Sequence, residues 1–201
     1  NCTTEPTIFE TYESYVKTFG KPKRLTIYCD PNPHTELYEE YSKQIADYFG
    51  QPPIKTKGLA DGYKHSLDNA DTEYLFQLEG DWKFQNIHHS LLQIVREQKK
   101  DMKMMMLFNQ HKNMHYSWLS KWQSYFKRSR NQMYCLSDRV SNNPHIIEVQ
   151  AYRREAMYLV DWTIPGAGRI EQVLEKKFQI AVYGAYGLAP TIVHLDSRRG
   201  E

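Results

Sequence analysis

The segment Ala70-Asp71-Thr72-Glu73-Tyr74-Leu75-Phe76-Gln77-Leu78-Glu79-Gly80-Asp81-Trp82 decides how the chain is read. Tyr74, Leu75, Phe76 and Leu78 form a mostly apolar run of strand length. Glu79 and Asp81 follow at once, separated by Gly80, so two carboxylates stand in the turn where the strand stops. In an open α/β sheet, ligands bind outside the carboxyl ends of the strands. Two acids placed there, one residue apart, can hold a hard divalent cation through oxygen ligands. Gly80 is expected to keep the turn tight and to let a bulky anion approach. The plain alternative is a pair of solvated acids at a strand end.

Upstream, Thr7 to Phe19 is predicted helical, with Ile8, Tyr12, Val16 and Phe19 on one face, Thr7 and Glu10 as a capping box and Gly20 as the stop. Leu25 to Cys29 reads as a strand ending at Asp30, before Pro31 and Pro33. His34 to Phe49 is a second helix, with Leu37, Tyr41, Ile45 and Tyr48 on one stripe and Gly50 at its end. Ile54 to Lys57 is a short strand and Asp61 to Ala70 a helix. Beyond the acidic turn, Asn86 to Gln98 is helical, with Ile87, Leu91, Ile94 and Val95 inward, and Met104 to Phe108 is a buried strand. Alternation of helices and strands implies a mostly parallel sheet with helices on both faces. The strand such a fold places first is missing ahead of Asn1. Because the chain opens on Asn1 rather than Met, an upstream segment is expected, and a signal or anchor within it stays open.

The second half is less regular. Met114, Trp118, Trp122 and Phe126 recur every fourth residue, which is one helix face. Tyr134 to Leu136, His145 to Val149, Phe178 to Val182 and Thr191 to Val193 read as strands, and Arg153 to Val160 and Ala167 to Lys177 as helices. No repeat, low-complexity tract or linker divides the chain, so residues 1–201 are expected to form a single domain with two functional halves, about 1–110 and about 111–201.

Composition narrows the class. At 201 residues, with 40% hydrophobic and 25% charged residues, the chain is long enough for one α/β domain with a core of its own. A net charge of +2 is too near neutral to argue for nucleic acid. Trp118 to Arg130 does interleave aromatics with Lys121, Lys127, Arg128 and Arg130, a mixture that can bind single strands. Its four-residue spacing favours an amphipathic helix, and no nucleic-acid partner is expected. The fifteen tyrosines and four tryptophans suit either sugar-stacking surfaces or a core. Cys2, Cys29 and Cys135 are odd in number and lack metal-type spacing, which points to a reducing compartment and a cytoplasmic location, or the cytoplasmic face of a membrane. No apolar stretch is long enough to span a bilayer.

The run Glu73-Tyr74-Leu75-Phe76-Gln77-Leu78-Glu79-Gly80-Asp81-Trp82 resembles the Asp-x-Asp region of the GT-A nucleotide-sugar glycosyltransferases, especially the large family two. Gly58 to Leu67 occupies the place of that family's glycine-containing loop and helix. Glu79 departs from the usual Asp, and its longer side chain can still reach a metal or a ribose. The resemblance implies a three-layer α/β/α sandwich around a mostly parallel central sheet. It further implies transfer of a sugar from a nucleotide diphosphate-sugar, most simply a uridine diphosphate sugar, to a hydroxyl acceptor such as a glycan. A divalent ion, Mn²⁺ or Mg²⁺, would neutralise the diphosphate as it leaves.

On that resemblance the residues take roles. Asp81 is the expected metal ligand and Glu79 a second ligand or a ribose contact. His194, in Thr191-Ile192-Val193-His194-Leu195-Asp196, is the expected third ligand, and imidazole beside two carboxylates suits Mn²⁺ over Mg²⁺. Asp30 resembles the acid that contacts the nucleoside, or is a turn-starting Asp before Pro31. Thr3 and Thr4 line the same crevice by position in the resemblance. Asp61 lies in the loop that covers the nucleotide, or caps a helix. Arg198, near Asp196 and Arg199, can clamp phosphate oxygens or belong to a solvated tail. An inverting transfer needs a general base. Glu171, after Gly166-Ala167-Gly168-Arg169-Ile170, is the first candidate, and Asp161 its rival. Trp118 to Arg130 would contribute to the acceptor site. Two other readings share these features: a sugar nucleotidyltransferase, which normally carries a Gly-rich, Arg-containing loop not seen here, and a non-catalytic carbohydrate-binding domain.

Overall fold

The computed structural model describes residues 7–30, 35–101, 105–108, 127–128, 133–137, 140, 142–163, 170–184 and 190–195. Thr3, Thr4, Arg198 and the Met114 to Phe126 stripe lie outside the described residues. The rest is a mixed α/β fold. The α-helices are α1 (Ile8–Phe19), α2 (Tyr38–Phe49), α3 (Leu59–Asn69), α4 (Leu91–Asp101), α5 (Val149–Glu155) and α6 (Ile170–Lys177). The strands are β1 (Tyr28–Cys29), β2 (Ile54–Lys55), β3 (Tyr74–Gln77), β4 (Trp82–Phe84), β5 (Met105–Phe108), β6 (Lys127–Arg128), β7 (Tyr134–Ser137), β8 (His145–Glu148), β9 (Ile180–Tyr183) and β10 (Ile192–His194).

Helix ends follow local chemistry, but the elements differ from the sequence reading in several places. Helix α5 runs Val149–Glu155 where Arg153 to Val160 was expected, Lys127–Arg128 form β6 rather than part of an amphipathic helix, and β4 was not expected. Two helix starts also differ, as follows. Gly20 (φ 83°) and Gly50 (φ 70°) close α1 and α2, each donating its N–H back to the helix, to Val16 and Ala46. Thr7 makes no cap bond. Its hydroxyl donates instead to the Gly80 carbonyl at 2.6 Å, and Glu10 pairs with Lys83. The expected capping box therefore gives way to tertiary bonds. The second difference is α4, which starts at Leu91 rather than Asn86. Asn86 is held at φ 52°, which a helix cannot use. Ser90 and Gln93 form the capping box: the Ser90 N–H donates to Gln93 Oε1 at 2.8 Å, and the Gln93 N–H to Ser90 Oγ at 3.3 Å.

Among the described residues, the main sheet has six strands in the order β3-β8-β5-β9-β7-β6. Only β5 and β9 pair in parallel; β3–β8, β8–β5, β9–β7 and β7–β6 are antiparallel. This corrects the mostly parallel sheet expected from the sequence. The alternating helices do set β3 and β5 in the same direction, since both run against β8. What the order could not show is that β8, from the second half, inserts between them. A separate parallel pair joins β1 to β2, and β4 pairs antiparallel with β10.

Burial follows the period of two along each strand. Leu107, Ile147, Ile180 and Val182 face Tyr63 and Leu67 of α3, Tyr152 of α5 and Leu174 of α6. Met106, Phe108, Ile146 and Tyr183 face Tyr15 of α1, Ile94 of α4, Trp82 and Phe84 of β4, and Ile192 of β10. Residues of α3, α5 and α6 thus share one cluster with the sheet, and residues of α1, α4 and the β4–β10 pair share the other. A smaller cluster of Ile27, Cys29, Tyr38, Tyr41 and Ile45 joins β1 to α2. Arg153 of α5 ties the two halves together. Its guanidinium donates to the carbonyls of Leu67, Asp68 and Ala70, which closes the C-terminal end of α3. Among the described residues, no helix is long and apolar enough to cross a membrane.

Candidate functional site

The chain leaves the main sheet after Gln77, turns through Leu78 to Asp81, and enters β4. Gly80 is not in the left-handed region. The structure gives its missing side chain a different use from the one expected: a Cβ there would lie 3.4 Å from the Cβ of Ile8, so the turn packs directly on the start of α1. In the β4–β10 ladder His194 is registered opposite Trp82, and the Leu195 N–H donates to the Asp81 carbonyl at 2.7 Å. This register brings His194 Nε2 to 3.1 Å from Asp81 Oδ2, with the two side chains 18% and 22% exposed. The Trp82 ring stands edge-on to the imidazole, centroids 4.8 Å apart. The other Asp81 oxygen, Oδ1, is buried and has no hydrogen-bond partner among the described residues.

Glu79 belongs to the same corner. Burial, and then the neighbouring Asp81 charge, push its carboxyl up to about 7, while the Trp82 indole and His194 pull the other way. Asp81 and His194 thus come together, and Glu79 lies close enough to Asp81 to feel its charge. Among the described residues no group of three or more His, Cys, Asp and Glu side chains is arranged to hold a metal. The chemistry of the donors nevertheless fits one, because the unpartnered Asp81 Oδ1 leaves an acceptor beside an imidazole.

The neighbouring edge of the sheet is rich in polar groups. His145 opens β8 and is registered between Gln77 of β3 and Leu107 of β5, so the residues just before it lie beyond the carboxyl ends of those strands. His145 is fully buried and neutral. Its Nδ1 can only donate to the Asn143 carbonyl (2.7 Å), which leaves Nε2 to accept from the Tyr63 hydroxyl at 2.6 Å. Burial lowers its pKa to about 4. The Tyr63 hydroxyl is pushed well above its usual range by burial first, with the Glu79 charge as a smaller contribution. Sequence reading missed this pair, and nothing in the local pattern of either residue marks it.

Glu171 lies in the first turn of α6, half-buried, with its carboxylate accepting from the backbone of Asn142. Burial raises its pKa, and the bond to Asn142 works against that. Through Asn142 it stands at the same strand-end edge as His145. Asp161 is occupied by its own turn, accepting from the Thr163 N–H (3.1 Å) and hydroxyl (2.6 Å). Asp61 accepts the Lys57 N–H at 2.9 Å and so closes the loop that leads into α3, whose N-cap is Gly58. Asp30 follows β1, in the small β1–β2 sheet rather than on the strands that carry Asp81 and His194.

The hydroxyls of α1 are the other feature not foreseen. Thr7 bonds the Gly80 carbonyl, Thr11 Oγ1 accepts the Trp82 N–H at 3.1 Å, and Ser14 Oγ accepts the Phe84 N–H at 3.1 Å. The spacing i, i+4, i+7 of Thr7, Thr11 and Ser14 is visible in the sequence as a polar stripe on an otherwise amphipathic helix.

No known protein-family model matches the chain, and no curated protein sequence matches it.

Proposed function

We propose that this chain is a metal-dependent glycosyltransferase domain of the GT-A kind, taking a sugar from a nucleotide diphosphate-sugar, most simply a uridine diphosphate sugar, to a hydroxyl acceptor such as a glycan. In this reading the molecule is a three-layer α/β/α sandwich, with the donor held by the first half and the acceptor by the second, and it works in the cytoplasm or at a membrane's cytoplasmic face. The observation that carries it is the meeting of Asp81 and His194 at 3.1 Å, beside Glu79, where the chain leaves strand β3. Two residues picked for the same role from distant parts of the sequence adjoin one another.

Asp81 and His194 would hold Mn²⁺ or Mg²⁺, with Glu79 as a further ligand or a ribose contact. A bound ion supplies Lewis-acid neutralisation of the departing diphosphate. Asp81 places negative charge where the cation is needed, and a bound cation would favour loss of the Glu79 proton beside it. Glu171, at the strand-end edge and with its pKa raised by burial, is suited to take the acceptor proton in an inverting transfer. Asp161, already bonded within its own turn, is the weaker base.

The test is turnover of uridine diphosphate sugars with and without Mn²⁺, in the wild type and in Asp81→Ala and His194→Ala. Mn²⁺-dependent release of the diphosphate, lost in Asp81→Ala and weakened in metal affinity by His194→Ala, is the expected result. Full activity in a folded Asp81→Ala protein overturns the assignment. Pyrophosphate-dependent formation of the nucleotide-sugar would instead identify a nucleotidyltransferase, and glycan binding without turnover a non-catalytic module.

A further inference from the structure

We infer that Thr7, just before α1, and Thr11, within it, are positioning residues of the Asp81 site, holding the peptide groups on either side of Asp81 so that its carboxylate faces His194. The inference rests on the reading of Asp81 as the donor-site acid and extends that site to a helix with no assigned role.

Strand β4 has two edges. One pairs with β10. The other faces α1, and a helix cannot offer a backbone ladder because its own N–H and C=O groups are paired internally. Hydroxyl side chains take the place of the ladder. On a helix, positions i, i+4 and i+7 fall on one face; along a strand, alternate residues point their backbone groups to the same edge. Thr7, Thr11 and Ser14 accordingly meet Gly80, Trp82 and Phe84, residues two apart. Donor and acceptor sense is determined at Ser14, whose hydroxyl donates to the Thr11 carbonyl at 2.8 Å and is left to accept from Phe84. Thr11 is 1% exposed, so water cannot replace its bond to Trp82.

The consequence falls on one residue. The carbonyl before Asp81 is bonded by Thr7, the N–H after it by Thr11, and its own carbonyl by Leu195. Three bonds from two remote segments hold the peptide groups before and after Asp81. Ser14 bonds farther along β4 and serves as the internal control. Residues that orient a ligand in this way commonly change metal affinity by about 10- to 100-fold when removed.

The experiment compares Thr11→Val, Thr11→Ser and Ser14→Ala in the whole chain, reading Mn²⁺ affinity, the His194 imidazole NMR signals without metal, and thermal stability. Valine keeps the shape of threonine and loses the acceptor. Thr11→Val should weaken Mn²⁺ by about tenfold or more and move the His194 signals in the same direction as an Asp81→Asn variant measured alongside. Thr11→Ser, which restores the hydroxyl, should return both to near wild type. Ser14→Ala should lower stability while leaving both readouts in place. Wild-type Mn²⁺ affinity and unshifted His194 signals in Thr11→Val overturn the inference, as does an equal effect from Ser14→Ala. If the wild type takes no Mn²⁺, the proposed function fails on that result. The positioning role is then decided by His194 alone: a shift in Thr11→Val reversed by serine sustains it, and no shift overturns it.

Discussion

Glu79 and His145 carry opposite pH dependences, and their windows overlap. Glu79 is raised to about 7 in the folded chain. Between the ordinary glutamate range, near 4.5, and pH 7 the folded state keeps a proton that the unfolded chain has released. Its contribution is therefore present at acid pH and lost as pH rises through that window. His145 is lowered from 6.5 to about 4. The unfolded chain takes up a proton there while the folded one does not, so stability is lost as pH falls from about 6.5 to about 4. The two effects offset one another in the wild type. In metal-free buffer, Glu79→Gln should raise the melting temperature at pH 8 more than at pH 5, and should expose a steeper loss on acidification driven by His145. Melting curves in chelator across pH 4–8 check this, and parallel wild-type and mutant profiles would refute it. Added Mn²⁺ should shrink the difference at pH 8, because a cation relieves the crowding of Glu79 and Asp81.

At the scale of the element, two devices hold helix ends, and they differ in strength. Ser90 and Gln93 satisfy the start of α4 from within four residues. Ser90→Ala should lower stability by about 1 kcal/mol, as N-cap losses generally do. Arg153 closes α3 from another element, with one guanidinium serving the carbonyls of Leu67 and Asp68 at the helix end and of Ala70 just past it. Arg153→Met keeps the stem and removes the donors, and should lower stability by about 2–3 kcal/mol. Arg153→Lys should recover only part of this, since an ammonium cannot match the planar fork. Urea denaturation of the three variants ranks them, and an Arg153→Met protein as stable as the wild type would show that the bonds contribute nothing net.

For the molecule as a whole, β8 is the keystone of the sheet. It bonds to β3 on one side and to β5 on the other, and Ile147, on β8, is fully buried against the α3, α5 and α6 face. Ile147→Ala should therefore lower global stability by about 2–5 kcal/mol. Hydrogen exchange should quicken in β3, β5 and β9 together rather than in β8 alone, because the two halves share one cooperative sheet. Exchange confined to β8 would show that the halves are independent units.

Much of the local structure was legible in the sequence because its causes are local. The glycines that stop α1 and α2, the apolar run of β3, and the inward stripe of Ile94 and Val95 act through neighbours a few residues away. The late start of α4 was legible too, in Ser90 and Gln93, although the apolar periodicity of Ile87 drew the boundary upstream. Asp81 and His194 stood out as residue types at strand ends. Their meeting did not, since it depends on the register of β4 against β10, and a slip of one residue would turn the histidine to the opposite face. The same limit applies to the insertion of β8 between β3 and β5, to the Tyr63–His145 bond, and to the hydroxyls of α1 along the edge of β4. Short apolar strands carry no label for their partners, and a buried polar group takes whichever complementary group the assembled core sets beside it. The sequence by itself determined most of the helices and strands, though not β4 or the bounds of α4 and α5, and it marked the acids at the end of β3. Only the tertiary structure decided which of those ends adjoin, because pairing between distant segments is chosen by the burial and hydrogen bonding of the whole sheet.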